Sequence, residues 1–306
     1  MPGQDERNLP RRMLITALVA IVVMAATYAG FVLTAAGQRF ENAALAGAAQ
    51  AEQLDPSGKA NALASLARIS VYSLAVAVAI VFLIGLLRRK LNLAVAGVGV
   101  VVVALGISQV LKRYLLPRPE LIAHDPRIAH NSFPSGHTTI AMSVLFGLVI
   151  VVPYAWRGFA LFVTVFYAIG IGEETVVAQW HRLSDTIGGD LIALAVGCLA
   201  MAYLARGIGI SRKPRKRFSP RLIFVVLPVT LTALAGLATG AIFVFGALPR
   251  LQAGSSDYDW MAFVTAQTLA SAFSAITALV YLGLLHRVAL GTTPLEELPE
   301  PVLAQR

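Results

Sequence analysis

The chain has 306 residues, of which 57% are hydrophobic and only 13% are charged. A typical soluble domain carries about 25% charged residues, so this composition excludes an ordinary soluble protein. Apolar runs of about twenty residues instead predict a polytopic membrane protein. The net charge is +9, and the basic residues lie between these runs. The positive-inside rule explains this pattern, and we therefore expect no nucleic-acid partner.

Eight apolar runs predict an all-α bundle of transmembrane helices. The first run follows a polar N-terminus and is longer than the apolar region of a signal peptide, which indicates a retained span. In chain order, the predicted spans are about 13–36, 69–87, 91–111, 138–154, 159–177, 186–204, 222–246 and 260–285. Gly236 and Gly240 form a GxxxG pattern in the seventh span, which indicates close helix packing.

These spans divide the chain into a six-span core and a C-terminal extension. The predicted parts are a cytoplasmic N-terminus (1–12), the core (13–205), a basic cytoplasmic connection (206–221), two additional spans (222–285) and a cytoplasmic tail (286–306). The tail is acidic and contains proline, so we expect it to be disordered.

The basic residues orient the spans in the membrane. With the N-terminus inside, the connections 88–90, 154–158 and 205–221 are cytoplasmic, and all carry Arg or Lys. The basic segment 205–221 favours contact with anionic lipid on the inner face. The outer connection 112–137 breaks the rule, because it holds four basic residues: Lys112, Arg113, Arg118 and Arg127. This exception indicates that the outer connection binds an anion.

A polar stretch from Asn131 to Thr138 runs directly into the fourth apolar run. Ser135 and Gly136 stand at the predicted helix N-terminus, where unpaired N–H groups and the helix dipole favour phosphate. Gly136 permits close approach of a ligand, and Ser135 adds a hydroxyl donor. His137 can give or take a proton beside the bound anion. The alternative is that Ser135 only caps the helix.

A second polar stretch precedes the sixth span and lies on the same, outer side. His181 and Asp185 are four residues apart, so a helix would place them on one face. Asp185 can accept a hydrogen bond from one imidazole nitrogen of His181, which leaves the other nitrogen to attack a substrate. The alternative is an interfacial histidine with Asp185 as the helix N-cap.

These stretches, with the basic residues before them, resemble the type 2 phosphatidic acid phosphatase family, which shares its fold with vanadium haloperoxidases and bacterial acid phosphatases. The family motifs are Lys-x6-Arg-Pro, Pro-Ser-Gly-His and Ser-Arg-x5-His-x3-Asp. Residues 134–137 match the second motif in full, and His181 with Asp185 match the end of the third. The resemblance covers about residues 65–205 well and says nothing about residues 206–306.

The resemblance implies a phosphatase that acts on a lipid phosphate without a metal or another cofactor. His181 would attack phosphorus and form a phosphohistidine, Asp185 would orient it, and His137 would protonate the leaving alkoxide. The phosphoryl oxygens would be held by Lys112, Arg118, Ser135 and Gly136. The expected substrates are isoprenoid (pyro)phosphates, phosphatidic acid, phosphatidylglycerol phosphate or related phospholipids. The expected location is the cell membrane, with the site on the extracytoplasmic side.

Two positions depart from the family motifs. Five residues separate Lys112 from Arg118, one fewer than in the pattern, and one residue on a helix corresponds to about 100° of rotation. Glu174 and Thr175 replace the Ser-Arg pair of the third motif. Loss of such a charge costs on the order of 10²–10³ in rate.

The missing arginine leaves two interpretations open. In one, Arg182 or Arg113 completes the clamp on the phosphate, while Glu174 pairs with a basic neighbour. In the other, Arg182 lies at the lipid headgroup surface. The missing charge also supports an alternative function, a catalytically weakened family member that binds or transports a lipid phosphate. Asp190, about one turn inside Asp185, is either functional or solvated.

Overall fold

The computed structural model describes residues 4–122, 131–207, 210–213 and 220–290. Arg127 lies outside this range. The described residues form ten α-helices: α1 (Gln4–Thr27), α2 (Ala35–Leu54), α3 (Pro56–Leu66), α4 (Val71–Leu87), α5 (Leu91–Val110), α6 (Gly136–Val151), α7 (Arg157–Val177), α8 (Leu183–Gly207), α9 (Leu227–Ile242) and α10 (Ser256–Leu284). Four short π-helical turns adjoin α1, α5 and both ends of α9: Tyr28–Val32, Leu111–Leu115, Leu222–Val226 and Phe243–Ala247. Two short strands, β1 (Ile210–Arg212) and β2 (Val288–Leu290), pair antiparallel.

The apolar helices stand where the sequence predicts them. Within the described ranges, six helices are long and apolar enough to cross a membrane: α1, α5, α7, α8, α9 and α10. Helices α3 and α4 together form a seventh candidate span, bent by 55° at the break between them. Helix α6 has only 16 residues, because it starts at a loop that is buried inside the bundle. The chain is therefore an all-α polytopic membrane bundle.

Helix α8 is the centre of the bundle, and it packs against α1, α5, α6 and α10. Nearly all of its residues from Leu183 to Leu204 are buried. Two glycines allow its first turns to approach the loop before α6 closely. A Cβ on Gly189 would lie 2.7 Å from the carbonyl oxygen of Ser135, and one on Gly188 would lie 2.8 Å from the Phe133 ring. This packing presses the start of α8 against the start of α6.

The two C-terminal spans, α9 and α10, pack as a pair. A Cβ on Gly236 would overlap the carbonyl oxygen of Thr268, and one on Gly240 would lie 3.1 Å from the Leu269 side chain. The close packing predicted from the GxxxG pattern is thus confirmed. Helix α10 also contacts α2, α7 and α8, so this pair is joined to the rest of the bundle.

The moderately polar connection 37–66, between the first two predicted spans, is largely helical. It forms most of α2 and all of α3. Its alanine-rich composition favours helix, and Asp55 caps α3 by accepting a hydrogen bond from the Ser57 backbone N–H at 3.0 Å. Helix α2 packs along α10, which brings one of its faces toward the predicted site.

The start of the predicted tail also differs from expectation. Residues 288–290 form β2 and are buried, because their side chains are apolar and their carbonyl oxygens accept hydrogen bonds. Nη1 of Arg157 donates to Val288 at 2.8 Å, and Nη2 of Arg88 donates to Leu290 at 3.0 Å. The prediction of disorder is wrong for this segment, and residues 291–306 lie outside the described part of the chain.

Candidate functional site

The two polar stretches that the sequence singles out meet at one end of the bundle. The ring centroids of His137 and His181 are 6.0 Å apart, although the two residues come from different segments. Both line a cavity of about 310 Å³ that Lys112, Gln109 and Gly136 also line. The structure therefore brings together two imidazoles, an ammonium group and a helix N-terminus.

Asp185 holds both the His181 ring and the backbone beside it. Its Oδ2 lies 3.4 Å from Nδ1 of His181 and accepts a hydrogen bond from the Arg182 backbone N–H at 2.8 Å. Asp185 is the third residue of α8, not its N-cap, and its carboxylate reaches back over the helix start as in a capping box. His181 precedes the helix, so its ring and the Asp185 carboxylate do not share a helical face. They meet because the Asp185 side chain turns back toward the N-terminus.

The start of α6 presents backbone N–H groups to the cavity. Ser135 is the N-cap, and its Oγ accepts a hydrogen bond from the Thr138 backbone N–H at 3.3 Å. Gly136 and His137 follow as the first residues of the helix, where N–H groups lack intrahelical partners and favour an anion. The His137 ring also packs against Trp180, with 5.2 Å between ring centroids. Capping by Ser135 and anion binding are therefore compatible here.

Lys112 reaches the cavity in spite of its short spacing from Arg118. It lies in the π-helical turn Leu111–Leu115, which continues α5 with a wider helical repeat and so changes the direction in which the Lys112 side chain leaves the helix. Asn131 fixes this turn, because its Nδ2 donates to the carbonyl oxygens of Lys112 at 3.0 Å and of Leu116 at 2.6 Å. The loop before α6 thus positions the ammonium group as well as the helix N-terminus.

Arg118 is paired with a carboxylate that the sequence analysis did not single out. Its Nη2 donates to Oε2 of Glu41 on α2 at 2.7 Å, and Glu41 is only 1% exposed. The Ser184 backbone N–H donates to Oε1 of Glu41 at 3.2 Å. Burial and the nearby charge of Asp185 raise the pKa of Glu41. The available signal in the sequence was an acidic residue in an alanine-rich segment.

Arg182 is buried beside the site, with 5% of its surface exposed. Its Nη1 donates to Oγ of Ser132 at 3.0 Å. Burial and the positive charge of Arg118 lower the pKa of Arg182. The interpretation that places Arg182 at the headgroup surface is therefore wrong, whereas Arg113 is exposed. Of the two candidate replacements for the missing arginine, Arg182 is the one beside the predicted site residues.

The residues that replace the Ser-Arg pair supply no positive charge to the site. Thr175 is buried, and its carbonyl oxygen accepts hydrogen bonds from the backbone N–H groups of Trp180 and His181 at 3.0 and 3.1 Å. Glu174 lines a separate cavity between α2, α3, α7 and α10. It forms no ion pair with a basic residue of the described ranges, so the expected pairing is not observed. Thr175 thus holds the backbone of His181, and its hydroxyl lies 3.3 Å from that of Thr186 on α8.

Asp190 is fully buried and not solvated. Oγ of Ser274 on α10 donates a hydrogen bond to its Oδ2 at 2.8 Å. Buried carboxylates in membrane spans generally make such a contact. This bond joins α8, one turn below the site, to the last span.

Comparison with known proteins agrees with this geometry. Residues 90–208 match the family model of the PAP2 superfamily, whose members are generally phosphatases. This range contains α5–α8 and all eight predicted site residues, and it leaves out α1–α4, α9 and α10. No curated protein and no solved structure gives a significant match to the chain. Both histidines and Asp185 thus lie in the segment of this chain that matches the PAP2 superfamily.

Proposed function

We propose that this protein is a membrane phosphatase that hydrolyses a phosphomonoester or pyrophosphate of an isoprenoid or phospholipid. The observation that carries the proposal is the meeting of His137 and His181, 6.0 Å apart between ring centroids, at a cavity that Lys112 also lines. Two imidazoles beside a cation can supply a nucleophile and an acid for one phosphoryl group.

In the first step of the proposed reaction, Nε2 of His181 attacks phosphorus while Asp185 holds Nδ1. A nitrogen–phosphorus bond forms as the bond from phosphorus to the leaving oxygen breaks. Protonated His137 donates its proton to that oxygen. In the second step, neutral His137 takes a proton from water, and the water oxygen attacks phosphorus. The nitrogen–phosphorus bond breaks, and inorganic phosphate leaves the restored His181.

The phosphoryl oxygens are held by positive charge and by backbone N–H groups, because phosphoryl transfer depends on positioning and charge stabilisation. The proposed set consists of Lys112, Arg118, Arg182, Ser135 and Gly136. Arg182 takes the role of the arginine that the third family motif has and this chain lacks. Its burial and its hydrogen bond to Ser132 support this role.

The apolar wall of the cavity supports a lipid substrate. Five apolar residues line it beside the histidines: Ile69, Val71, Leu74, Leu105 and Ile140. Burial of hydrocarbon contributes about 25 cal/mol per Å², so a hydrocarbon chain along this wall would hold the phosphate of the same molecule at the polar end. A water-soluble phosphate ester lacks this contribution.

The site faces the extracytoplasmic side in our proposal. Arg88 and Arg157 meet at β2, at the end of the bundle opposite His137 and His181. The last turn of α8, with Arg206, and β1, which pairs with β2, lie at that same end. The positive-inside rule favours a cytoplasmic location for the arginine-rich end, and the site then opens toward the outer leaflet.

Phosphate release from a panel of lipid phosphates tests the proposal. We expect the purified wild-type protein to release phosphate in the presence of EDTA, and His181→Ala to release none. Within the described ranges, no group of three or more His, Cys, Asp and Glu side chains is placed to hold a metal. Activity that EDTA abolishes would nevertheless indicate a metal enzyme.

Release from no lipid, with binding retained, would favour the alternative function of a weakened member that binds or transports a lipid phosphate. The observation that favours this alternative is Thr175 at the position of the family arginine. Binding of the same lipids to His181→Ala, measured beside turnover, separates the two functions.

A further inference from the structure

A carboxylate from outside the family-matched range contacts one of the proposed phosphate-binding residues. Glu41 lies on α2 and is 1% exposed. Its Oε2 accepts a hydrogen bond from Nη2 of Arg118 at 2.7 Å, and its Oε1 accepts one from the Ser184 backbone N–H at 3.2 Å. The two carboxylate oxygens thus bridge a proposed phosphate-binding guanidinium and the first turn of α8.

Two further hydrogen bonds hold the backbone on either side of Arg118. One turn before Glu41 on α2, Nε2 of Gln38 donates to the carbonyl oxygen of Pro119 at 2.7 Å. On the other side of Arg118, the Tyr28 hydroxyl donates to the carbonyl oxygen of Pro117. The segment that carries the guanidinium is therefore fixed by its backbone as well as by its ion pair.

We propose that Glu41 is a positioning and specificity-determining residue for the phosphate site. This inference rests on the proposed function and deepens it. Glu41 takes Nη2 of Arg118, whereas Nη1 is buried and has no hydrogen-bond partner in the described part of the chain. A guanidinium offers donors in a rigid planar fork, so fixing one side of the fork aims the other side. Nη1 is then the group that donates a hydrogen bond to a phosphoryl oxygen.

The charge of Glu41 has a second effect, on the affinity of the pocket for anions. Lys112, Arg118 and Arg182 would otherwise leave a strongly cationic site, in which inorganic phosphate would bind tightly and leave slowly. A negative group within a few ångströms disfavours another anion. Glu41 therefore weakens the binding of the product and favours its release.

Glu41→Gln tests both effects, because the amide keeps an acceptor for the Ser184 N–H and removes the charge. We expect the inhibition constant of inorganic phosphate to fall by about tenfold, which corresponds to one pKa unit of charge interaction. We also expect kcat to fall by about tenfold, because Arg118 is no longer held. A merely structural role would lower thermal stability and the amount of active protein, with KM and the phosphate inhibition constant unchanged, and this result would overturn the proposal.

Glu52→Gln is the matched control, since it makes the same change on the same helix. Glu52 pairs with Lys59 at 2.6 Å, and its side chain is 43% exposed. We expect this variant to keep the wild-type kcat and phosphate inhibition constant. An equal change in both variants would show that the general charge of α2, and not the contact with Arg118, is responsible, and would overturn the proposal.

A double variant tests the pairing itself. In an Arg118→Ala background, Glu41→Gln is expected to change phosphate affinity much less than in the wild type, because the two residues act on each other. Should Glu41→Gln not fold, Glu41→Asp decides the question. This variant keeps the charge but is too short to hold both partners, so we expect a lower kcat with an unchanged phosphate inhibition constant. An unchanged kcat in Glu41→Asp would overturn the positioning role.

Binding of inorganic phosphate, measured by calorimetry, keeps this proposal separate from the proposed function. Tighter phosphate binding in Glu41→Gln, with no turnover of any lipid by the wild type, would contradict the proposed phosphatase activity and support the role of Glu41. Wild-type turnover, with kcat, KM and phosphate affinity unchanged in Glu41→Gln, would contradict the role of Glu41 and support the proposed phosphatase activity.

Discussion

The backbone N–H of Ser135 donates a hydrogen bond to the carbonyl oxygen of Asp185 at 2.8 Å. This bond joins the N-cap of α6 directly to the first turn of α8. The two segments that carry His137 and His181 are therefore held together by main-chain atoms. Since this bond involves no side chain, it depends on how closely the two helices approach, and helix packing therefore contributes to the geometry of the site.

Gly189→Ala tests this dependence on packing. The added Cβ would lie 2.7 Å from the Ser135 carbonyl oxygen and 3.1 Å from the Thr139 backbone nitrogen, and backbone cannot yield without separating the helices. We expect a loss of turnover of about 10²-fold and a decrease in unfolding free energy of about 1–3 kcal/mol. Gly106→Ala is the control, because no atom lies within 4 Å of its added Cβ. Full activity in Gly189→Ala would contradict the prediction.

Asp185→Asn separates orientation of the nucleophile from capping of the helix. The amide oxygen can still accept the Arg182 N–H, but the carboxylate that orients His181 is lost. We expect kcat to fall by about 10³–10⁴, as for carboxylates that orient a catalytic histidine elsewhere, with little change in KM. Asp190→Asn makes the same change one turn deeper in α8 and is expected to keep the wild-type kcat. Similar losses in both variants would show that Asp185 has only a structural role.

Arg182→Ala tests whether Arg182 supplies the positive charge of the missing family arginine. We expect kcat/KM to fall by about 10²–10³, the usual loss for one group that stabilises the transition state. Arg113→Ala, at an exposed position, is expected to change turnover little. If Arg182→Ala turned over normally while Arg118→Ala were inactive, Arg182 would not be the replacement.

His137→Ala should uncouple the two chemical steps. An aryl phosphate has a good leaving group and needs no proton from an acid, so we expect this variant to form the phosphoenzyme with such a substrate. Hydrolysis of the phosphoenzyme is expected to slow by about 10²–10⁴, because water then lacks its general base. Rapid-quench labelling would show phosphate accumulating on His137→Ala and none on His181→Ala. Labelling of His181→Ala would move the nucleophile to another residue.

The sequence predicts the apolar framework well, because a helix that crosses a membrane needs a long apolar run. Each of the eight predicted runs corresponds to an apolar helix, although α6 is shorter than a full span. His137 and His181 could be placed together from the sequence because both follow an odd number of crossings and so lie on one side. The number of apolar runs before each histidine gives the number of membrane crossings, and this number was enough to place the two histidines together.

Contacts between distant parts of the chain could not be predicted in this way. Arg118 and Glu41 are 77 residues apart, and no local pattern in either segment points to the other. The connection 37–66 has mixed composition, so its two helices and their packing against α10 depend on tertiary contacts. Arg182 could not be placed for the same reason, since its burial and its contact with Ser132 depend on how the two loops assemble.

The pairing of β1 with β2 has a practical consequence for work with this protein. Arg88 binds the carbonyl oxygens of both Val151 and Leu290, and Arg157 binds that of Val288. A protein shortened at residue 286, where composition turns polar, would lack the Val288 acceptor of Arg157 and one of the two acceptors of Arg88. Affinity tags and protease sites for purification therefore belong beyond Leu290.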